Sequence, residues 1–208
     1  MLYRIAHVMR DNYPWLWNSL GRALSWLFGL RYGKKMRMIS NILRHYSQAE
    51  YVFEKLDKEN ASALAKMFSE QPKEVFQYFH PHGFSIHDLV KLVQDKGFLA
   101  YVVKHDKQVV GYFFQRSYFW GNAYRGYITD FRWRRRGINQ MMNSCATEIA
   151  TFLGLKVFGT ISPENMASMK SVERVNGVKI IERLNNGDYY VQYLPLKKIS
   201  NDDSKVYL

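Results

Sequence analysis

Phe131-Arg132-Trp133-Arg134-Arg135-Arg136-Gly137-Ile138-Asn139-Gln140 is the stretch on which the fold turns. Before it, residues 123–131 alternate as a strand does. After it, apolar residues recur at helical spacing from 138 to 153. A period of two gives way to one of 3.6 across a basic loop containing a glycine, which reads as strand, loop, helix. The first backbone N–H groups of a helix have no partner inside it, and its dipole favours negative charge there. Glycine lets a ligand approach the backbone closely. Arginines add charge-assisted hydrogen bonds suited to phosphate oxygens. The junction therefore reads as an anion site, with a solvated basic loop as the plainer alternative. It is neither a GxGxxG nor a P-loop pattern.

Working outward, 156–161 reads as a strand and 165–175 as a helix. Residues 177–183 and 188–194 form a closing hairpin about Asn185-Asn186-Gly187. Upstream, 51–56 alternates as a strand. Asn60 is placed to cap a helix carrying Leu64, Met67 and Phe68. Ser85 and Asp88 have capping-box spacing before Leu89, Leu92 and Val93. Strands over 98–104 and 109–118 flank the turn His105-Asp106-Lys107, and Gly121-Asn122 turns the chain into the strand that leads to the loop. The order is β-α-α-β-β-β-α-β-α-β-β, a mixed α/β domain.

The chain has 208 residues, 47% hydrophobic and 23% charged, which excludes a disordered polymer and allows one domain with an extension. A single cysteine, Cys145, excludes an internal disulfide framework and a multi-cysteine zinc site, and no metal is expected. Cys145 sits mid-helix among Met141, Met142 and Ile149 and reads as a small core residue. The net charge of +12, from 30 Lys and Arg against 18 Asp and Glu, favours an anionic partner: nucleic acid, anionic lipid or a phosphate-bearing small molecule.

Three segments are expected: a basic, aromatic helical extension over 1–49, the α/β domain over 50–196, and a mobile tail over 197–208. In the extension Arg4, Arg10, Arg22, Arg31, Lys34, Lys35, Arg37 and Arg44 face one acid, Asp11. Asn12 and Pro14 can start a helix with Leu16, Leu20, Ala23, Leu24, Leu27 and Phe28 at helical spacing; Tyr32-Gly33 is expected to break it before a second helix. Three uses stand open for 12–48: packing on the domain or on a second copy of the chain, lying in a membrane interface with Trp15, Trp17 and Trp26 near the headgroups, or serving as a nucleic-acid arm. No secretory signal and no spanning segment is read, so the expected location is cytoplasmic, with peripheral contact at the inner face of the membrane as an option.

Arg134-x-x-Gly137-Ile138-Asn139 resembles the R/Q-x-x-G-x-G/A loop of the GNAT superfamily of acyl-CoA-dependent N-acyltransferases. Pro163-Glu164-Asn165-Met166-Ala167-Ser168 with Val172-Glu173-Arg174-Val175-Asn176-Gly177-Val178 is similar to the family's second segment, at its usual separation. The resemblance spans about 51–195. It implies a mostly antiparallel sheet flanked by helices, and acetyl-CoA as cosubstrate. It implies pyrophosphate binding by Arg135, Arg136, Gly137, Ile138, Asn139 and Gln140, with Arg134 opening the motif. It further implies a pantetheine arm paired with Tyr127, Ile128 and Thr129, and a cofactor contact from Asn165. Asn139 departs from the usual small residue, Val178 from phenylalanine, and Val172 stands where many members carry a tyrosine that protonates the leaving thiolate. A carboxylate base on the following strand would fall at Thr160.

The implied reaction is attack by a neutral amine on an acyl thioester, so a proton acceptor is needed. Asp130 at the end of the strand and His82, with His80, in Phe79-His80-Pro81-His82-Gly83-Phe84 are the candidate catalytic groups. Tyr189 and Tyr190 alternate faces, so one of them at most points inward. The expected function is N-acetyl transfer to a primary amine on a small molecule, an amino sugar first. A non-catalytic acyl-CoA-binding module and a protein N-acetyltransferase stand as alternatives, and no nucleic acid is expected.

Overall fold

A computed structural model describes residues 14–47 and 50–196, with backbone alone for 14–18. The expected cap at Asn12, the side chains of Trp15 and Trp17, and the tail over 197–208 lie outside the described residues. Two helices come first, α1 (Pro14–Met36) and α2 (Ile39–Tyr46). Then follow β1 (Val52–Lys55), α3 (Ala61–Ser69), a 3₁₀ segment (Lys73–Tyr78) and α4 (Ile86–Val93). The meander β2 (Phe98–His105), β3 (Gln108–Ser117) and β4 (Asn122–Thr129) leads through a short 3₁₀ turn (Phe131–Trp133) to α5 (Ile138–Leu153). β5 (Lys156–Ile161), α6 (Met166–Glu173), β6 (Asn176–Arg183) and β7 (Tyr189–Pro195) complete the described chain.

The seven strands form one sheet in the order β1-β2-β3-β4-β5-β7-β6. Every neighbouring pair is antiparallel except β4 with β5. A parallel pair requires a crossover, and α5 supplies it. β2 is apolar and buried from Phe98 to Val103 because both of its faces are covered there. Leu99, Tyr101 and Val103 join the core beneath α5, while Phe98, Ala100 and Val102 join a second core beneath α3 and α4.

The extension is not a separate unit. Phe28, Tyr32, Ile39 and Leu43 are buried in the same core as Ile149 and Leu153 of α5. Arg31 donates to the Phe119 carbonyl at 2.6 Å and Lys35 to the Phe152 carbonyl at 3.2 Å, near the end of α5 where the dipole favours a cation. Of the uses left open for 12–48, the described helices pack on the domain and complete its core. The expected break at Tyr32-Gly33 is absent: α1 runs on to Met36, since Tyr32 is anchored in the core and one glycine costs a helix only about 1 kcal/mol.

Ser85 caps α4 as its spacing suggests, accepting from the Asp88 N–H. Asn60 differs. Its amide oxygen accepts from Asp57 N–H at 2.9 Å and its amide nitrogen donates to Lys55 O at 3.0 Å, so it closes the turn before α3 and makes no side-chain cap.

Candidate active site

The parallel pair at the centre of the sheet comes apart. β4 and β5 are in register only at Asn122–Lys156, Ala123–Val157 and Tyr124–Phe158. Beyond Tyr124, β4 keeps its partner β3 and β5 keeps its partner β7, as in Ile128 with Tyr112 and Thr160 with Tyr190, but the two no longer pair with each other. The β5-facing backbone edge of residues 125–129 is left without a strand partner. The wedge opens into a cleft of about 1230 Å³, bordered by residues 125–129 on one side and 159–162 on the other. Phe114 closes tightly over β4: a Cβ on Gly126 would stand 2.5 Å from its ring, so only glycine fits there.

The N-terminus of α5 stands at the open end of the wedge. Gly137, its first flanking residue, has φ +77°, and a Cβ there would meet nothing within 4 Å. Glycine is required by the backbone angle alone. Arg135 is also left-handed, at φ +63°, a conformation that costs a non-glycine residue about 1–3 kcal/mol and recurs at ligand sites. No side chain caps α5 and no acid occupies its first turn. Arg134, Arg135, Gly137, Ile138, Asn139 and Gln140 all border the cleft. Arg136 does not; its guanidinium lies 4.5 Å from the Trp133 ring, which leaves only its backbone for the expected anion contact.

Asn139, the departure from the small-residue pattern, has its side-chain oxygen engaged within the fold. Its amide oxygen accepts from Asn143 Nδ2 at 2.6 Å and from Ser171 Oγ at 2.9 Å, tying α5 to α6. Asn165 borders the cleft and caps α6 through Ser168 N–H at 3.1 Å, so its oxygen is engaged. Tyr127, expected to act through its backbone, also carries a hydroxyl across the wedge to Ser168 Oγ at 2.8 Å. Burial raises its pKa, with the Ser168 hydrogen bond and the Arg125 charge opposing, so the phenol is protonated. Arg125 lies beneath it, its guanidinium 4.1 Å from the Tyr193 ring and its Nη1 donating to Thr147 Oγ1 at 2.8 Å. The alternation of β4 brought Tyr127 to this side, but its reach to α6 had no signal in sequence.

The two expected catalytic groups are not where acid–base work needs them. Asp130 is fully buried, and Arg132 holds it through Nη2 to Oδ2 at 2.6 Å and Nε to Oδ1 at 3.0 Å. Burial pushes this carboxyl up, but the Arg132 hydrogen bonds and charge outweigh it and hold the pKa below the ordinary range. Glu70 accepts from the same guanidinium at 2.7 Å. Asp130 is thus half of a structural ion pair and does not border the cleft. His82 is packed among Phe68, Phe84, Phe98 and Phe114. Its Nδ1–H donates to the Gly83 carbonyl at 2.8 Å, and its Nε2 accepts from the Tyr112 hydroxyl at 2.9 Å. Burial lowers its pKa, so the ring is neutral with its lone pair occupied. His80 is the histidine of this loop that borders the cleft, beside Tyr78, Phe79 and Pro81.

Tyr190 meets Tyr124 hydroxyl to hydroxyl at 3.2 Å. Cys145 is fully buried and burial pushes its thiol up, as a core residue requires. Among the described residues no group of His, Cys, Asp and Glu could hold a metal.

A strip of unpaired strand backbone ending at an acid-free helix N-terminus fits an elongated ligand with an amide-bearing arm and a phosphate head. No family model matches the sequence, and no curated protein does. Solved structures do match. The GNAT domain of an S. lividans protein, PAT, superposes with a TM-score of 0.58 at 11% identity over 68% of this chain and 89% of its own. The chain has the GNAT fold. A putative acetyltransferase from Salmonella typhimurium, solved with its cofactor acetyl-CoA, gives 0.55 at 16% identity over 74% of this chain and 99% of its own. The aminoglycoside acetyltransferase AAC(6')-Ib, solved with coenzyme A and kanamycin, gives 0.54 at 10% identity over 70% and 94%. α1 and α2 precede the part read as similar to the GNAT loop and its companion segment.

Proposed function

We propose that the protein moves an acetyl group from acetyl-CoA directly to a primary amine on a small molecule. The observation that carries this reading is the separation of β4 from β5 with the open N-terminus of α5 at its mouth. The likeness to solved acetyltransferases of the GNAT fold supports it. Loop N–H groups over 137–140, with Arg134 and Arg135, hold the phosphates. The free edge of Tyr127, Ile128 and Thr129 pairs with the pantetheine amides, and a backbone donor there faces the negative charge that builds on the thioester carbonyl.

The acceptor nitrogen forms the new C–N bond as the C–S bond breaks. His80 takes the proton that the amine gives up. The departing thiolate takes its proton from the Tyr127 hydroxyl, and Ser168 relays a proton from water back to the phenolate. Val172, where a tyrosine is usual in this fold family, is fully buried and contributes no acid. The finer reading is an amino sugar: Tyr78, Phe79 and Tyr124 offer ring faces at the cleft for a saturated sugar ring, and Asp188 borders it to meet the ammonium form on arrival.

Calorimetric titration of acetyl-CoA, with dephospho-CoA as comparator, and thiol release over an amine panel test the reading. One saturable site and turnover, highest on amino sugars, are expected. Tight binding without turnover on any amine would overturn the enzyme in favour of a binding module. Tyr127→Phe should lower kcat at least tenfold with little change in acetyl-CoA affinity. His80→Gln should lower kcat at least tenfold with little change in acetyl-CoA affinity.

A further inference from the structure

α1 is apolar on the side it buries and also on the side it does not. Phe28 and Tyr32 face the core. On the opposite arc lie Leu20, Ala23, Leu27 and Leu30, at helical spacings of three and four, with Trp26 beside them. Leu30 is 63% exposed, Trp26 55%, Leu20 43% and Leu27 37%. Large apolar side chains gathered on an exposed face ordinarily mark an interaction surface, and nothing among the described residues covers this one.

Charge selects the occupant. Residues 14–47 contain no Asp or Glu and six Lys or Arg. Arg31 and Lys35 tether the helix to the domain, while Arg22 and Lys34 are exposed on it and Arg37 just past its end. A second copy seated on this face would bring an identical set of cations with no acid to offset them, and like charges across an interface disfavour pairing. An anionic bilayer offers the opposite sign, and its headgroup layer is where a tryptophan flanked by leucines and arginines resides. Among the described residues no helix is long and apolar enough to cross a membrane, so the helix would lie in the surface.

We propose that the outward face of α1 docks the protein on an anionic lipid bilayer. The docking is independent of the reading of the cleft. Three exposed cations, each adding roughly fivefold to partitioning onto an anionic surface, amount to a gain on the order of a hundredfold over a neutral one.

The test is flotation of the full chain with vesicles of phosphatidylcholine containing phosphatidylglycerol, and with phosphatidylcholine alone. Flotation with the anionic vesicles only, weakened by salt, is expected. Trp26→Ser with Leu30→Ser should abolish it while melting temperature and acetyl-CoA affinity stay unchanged, since both side chains are exposed and remote from the cleft. Replacing Arg22, Lys34 and Arg37 by serine should weaken it on the order of a hundredfold. Absence of flotation with anionic vesicles at low salt would overturn the proposal. So would a dimer, seen by sedimentation, that the Trp26→Ser, Leu30→Ser variant dissolves. Salt-sensitive binding to RNA in place of the vesicles would overturn it as well.

Discussion

Gly137 offers a test in which stability and ligand binding should move in opposite directions. Asp and Asn are the side chains that best tolerate a φ of +77°, and a Cβ at this position meets nothing within 4 Å. Gly137→Asp and Gly137→Asn therefore bear the same backbone cost and nearly the same shape, and differ by one negative charge at the head of α5. That head has no acid in its first turn. A carboxylate there gains from the helix dipole about 0.3–1 kcal/mol relative to the amide. For a chain of this size the Asp variant should melt roughly 1–3 °C above the Asn variant.

Binding should respond the other way. A carboxylate roughly 5 Å from a bound phosphate, at an effective dielectric of about 20, repels it by about 3 kcal/mol. That corresponds to about two orders of magnitude in Kd for acetyl-CoA. Salt screens part of this, and a tenfold loss is the least the geometry allows. Melting curves and calorimetric titrations of the two variants, at one ionic strength, measure both quantities. Equal affinity of the Asp and Asn variants for acetyl-CoA would refute the assignment of phosphate to this loop. So would equal melting temperatures refute the assignment of an open helix terminus.

Two predictions concern what holds the site. Phe28→Ala should destabilise the fold by about 3–5 kcal/mol in denaturant melts, because the ring is fully buried in the core shared with α5; a loss below about 1 kcal/mol would return α1 to the status of an appendage. Arg132→Met should cost about 2 kcal/mol at neutral pH, less than for a fully buried pair since Arg132 is partly exposed. In the wild type the Asp130 pKa is depressed, so its contribution is present above the unfolded value of about 4 and is lost as pH falls through the folded one. In the variant, burial alone raises that pKa, and acidification relieves the unpaired charge. The stability gap should therefore narrow between pH 7 and about pH 3.5, and a constant gap would sink the ion-pair account.

The elements nearest the site were the most legible. The bounds of α5 and β5 follow from two glycines, Gly137 and Gly154, both at φ +77°, which punctuate an otherwise unbroken apolar period. The 3₁₀ segments at Lys73–Tyr78 and Phe131–Trp133 have no period to read. The strand-to-helix junction at the head of α5 was legible because a helix start is a local event. The acid–base candidates were not, because their fate is decided by partners far along the chain. Asp130 is neutralised by an arginine two residues on that Glu70 steadies from α3. His82 loses its lone pair to Tyr112 on β3, thirty positions away. Two histidines separated by one proline look alike in sequence; one is drawn inward by that hydroxyl and the other is left at the cleft.

The same long-range pairing explains why a net charge of +12 did not by itself choose a partner. Several of its cations are already engaged within the fold. Arg132 is paired with Asp130 and Glu70, Lys104 with Glu54, Arg125 and Arg136 are stacked on rings, and Arg31 and Lys35 hold carbonyls. Other cations stay open to solvent, among them Arg134 and Arg135 at the mouth of the wedge, Arg22 and Lys34 on α1, and Arg37 just past its end. In the proposed roles Arg134 and Arg135 would act at contact range inside a cleft, where salt screens least. The cations of α1 would act across water on an extended surface, where a Debye length of about 8 Å at physiological salt cuts their reach. Raising ionic strength should therefore release the protein from anionic vesicles well before it weakens acetyl-CoA binding to a comparable degree.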